Sequence, residues 1–199
     1  MAVADRILAE TPTGSVTAVI GRPGAGVSTL LGQVCMTATA SAPVVLASWE
    51  RPPTFSTALA GVVQPKIIGW SAEELGQCAE VRDTAPGTVV AVDYLQLLGD
   101  SGDGAGRSLC ALAANRSWRL LLGVMAPRRL RDLGSALPPA LVVHRAGRVL
   151  AGALQQVDRA VVITGGDVGV RSACFALPTE PRGTWRLRWA THVDEAPSS

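Results

Sequence analysis

The run Gly21-Arg22-Pro23-Gly24-Ala25-Gly26-Val27-Ser28-Thr29 has the glycine spacing of a loop that wraps a phosphate. It follows an apolar stretch of strand character and precedes an apolar stretch of helix character, the context that a Gly-x-x-x-x-Gly-Lys-Ser/Thr phosphate loop requires. Glycines let the backbone curl so that successive N–H groups and the helix N-terminus face an anion, and Ser28 would put its hydroxyl on a magnesium ion carried with the phosphates. One position departs. Val27 stands where a lysine would reach the β- and γ-phosphates, so a short branched hydrocarbon replaces the cation of the loop. The alternative reading is a glycine-rich strand-to-helix turn with no ligand.

A second run, Val89-Val90-Ala91-Val92-Asp93, is an apolar strand ending in a carboxylate and continued by Tyr94-Leu95-Gln96-Leu97-Leu98. Asp93 either caps a turn or holds the magnesium of a nucleotide through the end of its strand. The Asp-Tyr-Leu-Gln-Leu sequence resembles the second motif of DnaB-type replicative helicases, a branch of the RecA-like P-loop ATPases, and the resemblance extends through short motifs over most of the chain. Val45-Leu46-Ala47-Ser48-Trp49-Glu50 resembles the family strand whose terminal Glu activates the attacking water, which gives Glu50 that role by analogy. Leu120 to Arg128 resembles the strand that carries a Ser-Gln phosphate sensor and a following Arg; here the sensor positions are Val124 and Met125, and Arg128 is retained. Leu154 to Arg159 and the closing Pro181 to Trp189 resemble the next segment and the terminal hairpin. A Lys and an Arg that reach a neighbour's nucleotide in the family align with Ala176 and Pro178.

The departures from the family pattern share one chemical role. Val27, Met125, Ala176 and Pro178 stand where charged or polar groups would stabilise the γ-phosphate in the transition state. Hydrogen bonds to charged groups contribute roughly 1.5 to 3 kcal/mol each, and trans-acting arginine fingers roughly 10³ to 10⁵ in rate. Their loss implies a catalytically degenerate domain that binds or assembles without hydrolysis, a role that requires no cofactor. The alternative is a weak, DNA-stimulated ATPase binding ATP with Mg through the loop backbone, Ser28, Asp93 and Glu50. Lys66 is the single lysine among 18 basic residues and follows the second helical stretch, and Arg22 inside the loop is a weak substitute for the missing cation.

Arg128, Arg129 and Arg131 cluster after the fourth strand. They form either a solvated basic turn or, as the resemblance implies, part of a loop that holds single-stranded nucleic acid by its phosphates. Trp185, Leu187 and Trp189 alternate with Arg186 and Arg188, which suits a strand with one packed and one wet face; a stacking platform would need the tryptophans exposed. His144 and His192 are isolated and suggest neither a metal site nor base catalysis. The partners implied are a second copy of the chain, a related RecA-like protein, or nucleic acid.

The elements that must position these residues alternate between short β-branched runs and helical stretches, the pattern of an α/β domain around a mostly parallel sheet. Strands are predicted over 16–20, 44–48, 88–93, 119–125, 160–164, 171–177 and 184–190, the last two as an antiparallel hairpin. Helices are predicted over 26–40, 54–62, 72–82, 107–117 and 147–156. The turn-rich segment 100–106 reads as a mobile surface loop, and 131–139 as a second irregular stretch. A length of 199 residues, 48% of them hydrophobic, supports one domain over 1–192 with a frayed tail at 193–199 and without the helicases' separate N-terminal domain. A net charge of +2 gives no bulk attraction to nucleic acid or anionic membrane. The first residues lack the basic-then-apolar order of a signal peptide, and no apolar run is long enough for a membrane span, so a cytoplasmic protein without membrane contact is expected. Cys35, Cys78, Cys110 and Cys174 contain no Cys-x-x-Cys pair and read as buried free thiols.

Overall fold

The computed structural model describes residues 3–22, 24–48, 62–63, 84–93, 102–125, 156–165, 170–176 and 181–188. Eight strands form one sheet: β1 (Val16–Gly21), β2 (Val44–Ser48), β3 (Val62–Val63), β4 (Val89–Asp93), β5 (Arg119–Met125), β6 (Arg159–Gly165), β7 (Val170–Ala176) and β8 (Pro181–Arg188). Their order across the sheet is β3-β2-β4-β5-β1-β6-β7-β8. Pairings from β3 to β6 are all parallel, whereas β6–β7 and β7–β8 are antiparallel. The mostly parallel α/β sheet with a C-terminal antiparallel hairpin is therefore observed as expected.

The parallel strands read as continuous apolar runs because both faces of the sheet are covered. All positions of β1 and β4 are buried, as are the five central positions of β5. Helix α2 (Val27–Ala38) lies across one face, touching β1, β5, β4 and β2. Its Leu30, Leu31, Val34 and Cys35 share a core with Val19, Leu121, Ala91, Leu46 and Val161. Helix α1 (Val3–Glu10), which hydropathy reading missed, packs on α2 through Val3, Ala4 and Ile7. Eight residues are too few to hold a helix in isolation, so packing decides its formation, with an Arg6–Glu10 ion pair one turn apart on its outer side.

Helix α3 (Gly102–Arg116) corrects one expectation: it begins inside the segment 100–106 that the turn formers mark as a loop. The reason is the burial stripe. Leu109, Cys110 and Ala113 are buried at helical spacing, and the stripe continues back one turn onto Gly106, also buried. A glycine has no side chain to register in hydropathy, yet its bare backbone still packs. The helix ends at Ser117, which takes a left-handed φ of 57°. Val62 pairs in β3 rather than closing the expected helix 54–62, whose other residues lie outside the described residues, as do helix 72–82, most of 147–156, the stretch 131–139 and the tail.

Cys35 and Cys110 are buried free thiols, as expected; the side chains of Cys78 and Cys174 are outside the described set. Burial, with a smaller push from Asp93, raises the Cys35 thiol to about 12, and burial with help from Asp158 raises Cys110 to about 11. In the unfolded chain a thiol ionises near 8.5 to 9. Above that pH the unfolded state binds fewer protons than the native state, so the contribution of these thiols is intact below about pH 9 and is lost as pH rises towards the native values. Denaturation midpoints are expected to fall between pH 9 and 11, with Cys35 accounting for about 1 kcal/mol per pH unit. The Cys35→Ala variant should show a shallower fall; an unchanged slope would refute the assignment.

Candidate functional site

The carboxyl ends of β1, β2 and β4 and the amino end of α2 meet at one edge of the sheet. Two glycines of the loop between β1 and α2 have left-handed backbones, Gly24 with φ 77° and Gly26 with φ 94°, conformations that a side chain would strain. Within the loop the Ala25 amide donates to the Arg22 carbonyl at 2.9 Å, closing a turn. Gly26 is the N-cap of α2 and supplies no side-chain cap, and the first turn of α2 contains no acidic residue. The first-turn amides of α2 are left facing outward, as at any uncapped helix start, and favour an anion there.

Beneath this loop the floor is hydrocarbon. Gly21 pairs with Met125 on β5 and with Ile163 on β6, and Val27 closes over it. A Cβ on Gly21 would lie 2.8 Å from Val27 Cγ2, 3.2 Å from Ala25 Cβ and 3.5 Å from Ile163 Cβ. Val27 is 0% exposed and belongs to the core under α2, and Met125 packs against the same core. The position that the loop pattern reserves for a cation is thus a fully buried member of the core. Gly21→Ala should cost about 1 to 3 kcal/mol through overpacking. In urea denaturation its effect should be markedly smaller on a Val27→Ala background, because the clashing methyl is gone; strictly additive effects would contradict the contact.

The polar half of the site joins the first turn of α2 to the ends of β4 and β2. Asp93 ends β4 at 4% exposure, and its Oδ1 accepts a hydrogen bond from Ser28 Oγ at 3.2 Å. Its Oδ2 accepts a second from Ser48 Oγ, also at 3.2 Å. Ser48 ends β2 and is the register partner of Asp93, so the two residues project side by side from adjacent strands. A buried carboxylate needs such donors, because an unpaired buried charge carries a desolvation cost of several kcal/mol. Sequence spacing brought Ser28 and Asp93 into consideration separately. Ser48 was missed, and only strand register could have found it.

The structure thus brings together Gly21, Arg22, Gly24, Ala25, Gly26, Val27, Ser28, Thr29 and Asp93 at one edge. Pro23, Glu50, Lys66, Arg128, Arg129, Arg131, Pro178, His144 and His192 lie outside the described residues. The described residues contain no cluster of three or more His, Cys, Asp or Glu side chains that could hold a metal ion, and no helix long and apolar enough to cross a membrane. Ser28 and Asp93 nevertheless supply two adjacent hard oxygen donors. That set fits magnesium, which takes one or two protein ligands and fills its remaining positions with water and phosphate oxygens.

No known family model matches the chain, and no curated protein does either. Solved structures do. A DnaB-like replicative helicase, described together with its interactions with primase, superposes with a TM-score of 0.71 at 14% identity, covering 90% of this chain. This chain spans 57% of that helicase. A solved ATPase domain superposes with a TM-score of 0.72 at 13% identity, covering 93% of this chain and 86% of its own. At such low identity the likeness speaks for the fold alone, and the fold of this chain is RecA-like.

Proposed function

We propose that this chain is a RecA-like P-loop domain that has lost ATP hydrolysis and acts as a non-catalytic binding or assembly module. The observation that carries the reading is the burial of Val27 in the hydrophobic core at the place of the loop lysine. The chain has no positive side chain there to neutralise charge building on a transferring phosphoryl group, the interaction on which this reaction depends most. Met125, at the sensor position on β5, adds a thioether where a polar group would be needed. What remains is a cradle of backbone amides with Ser28 and Asp93, suited to holding a nucleotide with its magnesium rather than cleaving it.

The nucleotide face of such a fold lies at an edge where a neighbouring subunit can complete the site. The partner in this reading is therefore a second copy or a related RecA-like protein that keeps its lysine. Arg128, Arg129 and Arg131 extend the proposal to nucleic acid, whose phosphates they would hold electrostatically. The resemblance to a helicase described with primase is the comparison that favours a role beside nucleic acid.

One observation favours a second reading, a weak ATPase: Ser28 and Asp93 stand 3.2 Å apart, in place to share a cation, and Glu50 would serve as the base. Turnover of radiolabelled ATP by the purified chain separates the two. No phosphate release above the Asp93→Ala control is expected; release that the control abolishes would establish the ATPase.

A further inference from the structure

We infer that Ser48 is a positioning residue that holds the Asp93 carboxylate for a divalent cation. The inference rests on the nucleotide-site reading above and deepens it. Ser28 Oγ and Ser48 Oγ bond different oxygens of one carboxylate, Oδ1 and Oδ2, and come from different elements: one from the first turn of α2, the other from the end of β2. The two bonds stand differently towards a cation. A hydroxyl carries one proton and two lone pairs, so Ser28 can donate to Oδ1 and offer a lone pair to the cation, and its position must serve both. Ser48 bonds the other oxygen and is not itself a ligand in this reading, so its hydroxyl is free to serve the carboxylate alone.

Of the two, Ser48 is the donor whose placement is not also set by ligation. Its bond to Oδ2 opposes rotation of the carboxylate about the Cβ–Cγ bond. The register pair Ser48 and Asp93 keeps donor and acceptor on neighbouring strands whose spacing the backbone ladder sets. Tertiary support of this kind orients a ligand before the metal binds, and its removal typically weakens metal affinity about 10- to 100-fold.

The test is calorimetric titration of the full chain with ADP at a series of magnesium chloride concentrations and in EDTA. In Ser48→Ala the magnesium concentration giving half of the gain in ADP affinity should rise about tenfold or more, while ADP affinity in EDTA stays within about twofold of wild type, since no cation is then being held. Ser48→Thr, which keeps the hydroxyl, should retain the wild-type magnesium response. Should Ser48→Ala not fold, Ser48→Cys replaces it, with a weaker donor of similar shape and a shift in the same direction. An unchanged magnesium midpoint in a folded Ser48→Ala overturns the role of Ser48 and leaves the nucleotide site standing. Equal losses in the Ala and Thr variants overturn it too, by assigning the effect to packing. ADP affinity of the wild-type chain that is indifferent to magnesium overturns the nucleotide-site reading and this inference together.

Discussion

Replacing Val27 with lysine is expected to tighten nucleotide binding by about ten- to a hundredfold while lowering the melting temperature of the nucleotide-free domain. The two effects have one origin. Val27 is fully buried with Gly21 beneath it, so the stem of a lysine can follow the path of the valine methyls across a residue that has no Cβ to obstruct it. The ammonium group, however, must leave water or strain the loop to regain it, which destabilises the empty domain. A bound polyphosphate supplies the missing counter-charge, and one charge-assisted hydrogen bond contributes roughly 1.5 to 3 kcal/mol. Thermal shift with and without ADP checks both arms. Nucleotide should raise the melting temperature of Val27→Lys more than that of wild type, and Val27→Met should behave as wild type does. A lysine variant with no gain in affinity would mean that the loop is a turn and not a cradle.

The second large effect concerns the metal. With no cation on the loop at position 27, a polyphosphate approaching α2 meets the buried carboxylate of Asp93. A divalent ion then offsets the repulsion between the two, and chelating it should weaken ADP binding by about tenfold or more. Asp93→Asn gives this a signature of sign. In magnesium the substitution removes a cation ligand and should weaken binding, whereas in EDTA it removes a repelling charge and should strengthen binding several-fold. Val27→Lys should reduce the penalty of chelation, because the loop then brings its own positive charge. An Asp93→Asn effect of the same sign in both buffers would separate Asp93 from the phosphate site.

Much of the architecture is legible in the residue order because parallel strands covered on both faces must be apolar throughout. Val44–Ser48 and Arg119–Met125 stand out as β-branched or leucine-rich runs, and the turn residues around them mark their ends within a residue or two. The glycine loop is legible for a related reason: left-handed φ angles at Gly24 and Gly26 demand glycine, so local backbone geometry writes itself into local composition. Elements that depend on distant partners are not legible in this way. Helix α1 is too short to hold itself, and the start of α3 lies among glycines that give no hydropathy signal, of which Gly106 is buried.

For the candidate site the division runs between residue type and residue position. The sequence by itself determined that the loop lacks a lysine at position 27 and that a carboxylate ends the β4 run, since both are statements about which side chain stands at a given spacing. Tertiary structure alone decided that Val27 is a core residue sealed against Gly21, and that Ser48 meets Asp93 from 45 positions away. The physical reason is that hydrophobic burial and hydrogen bonding act through space. The partner of a side chain is set by strand order and register, to which all the intervening chain contributes.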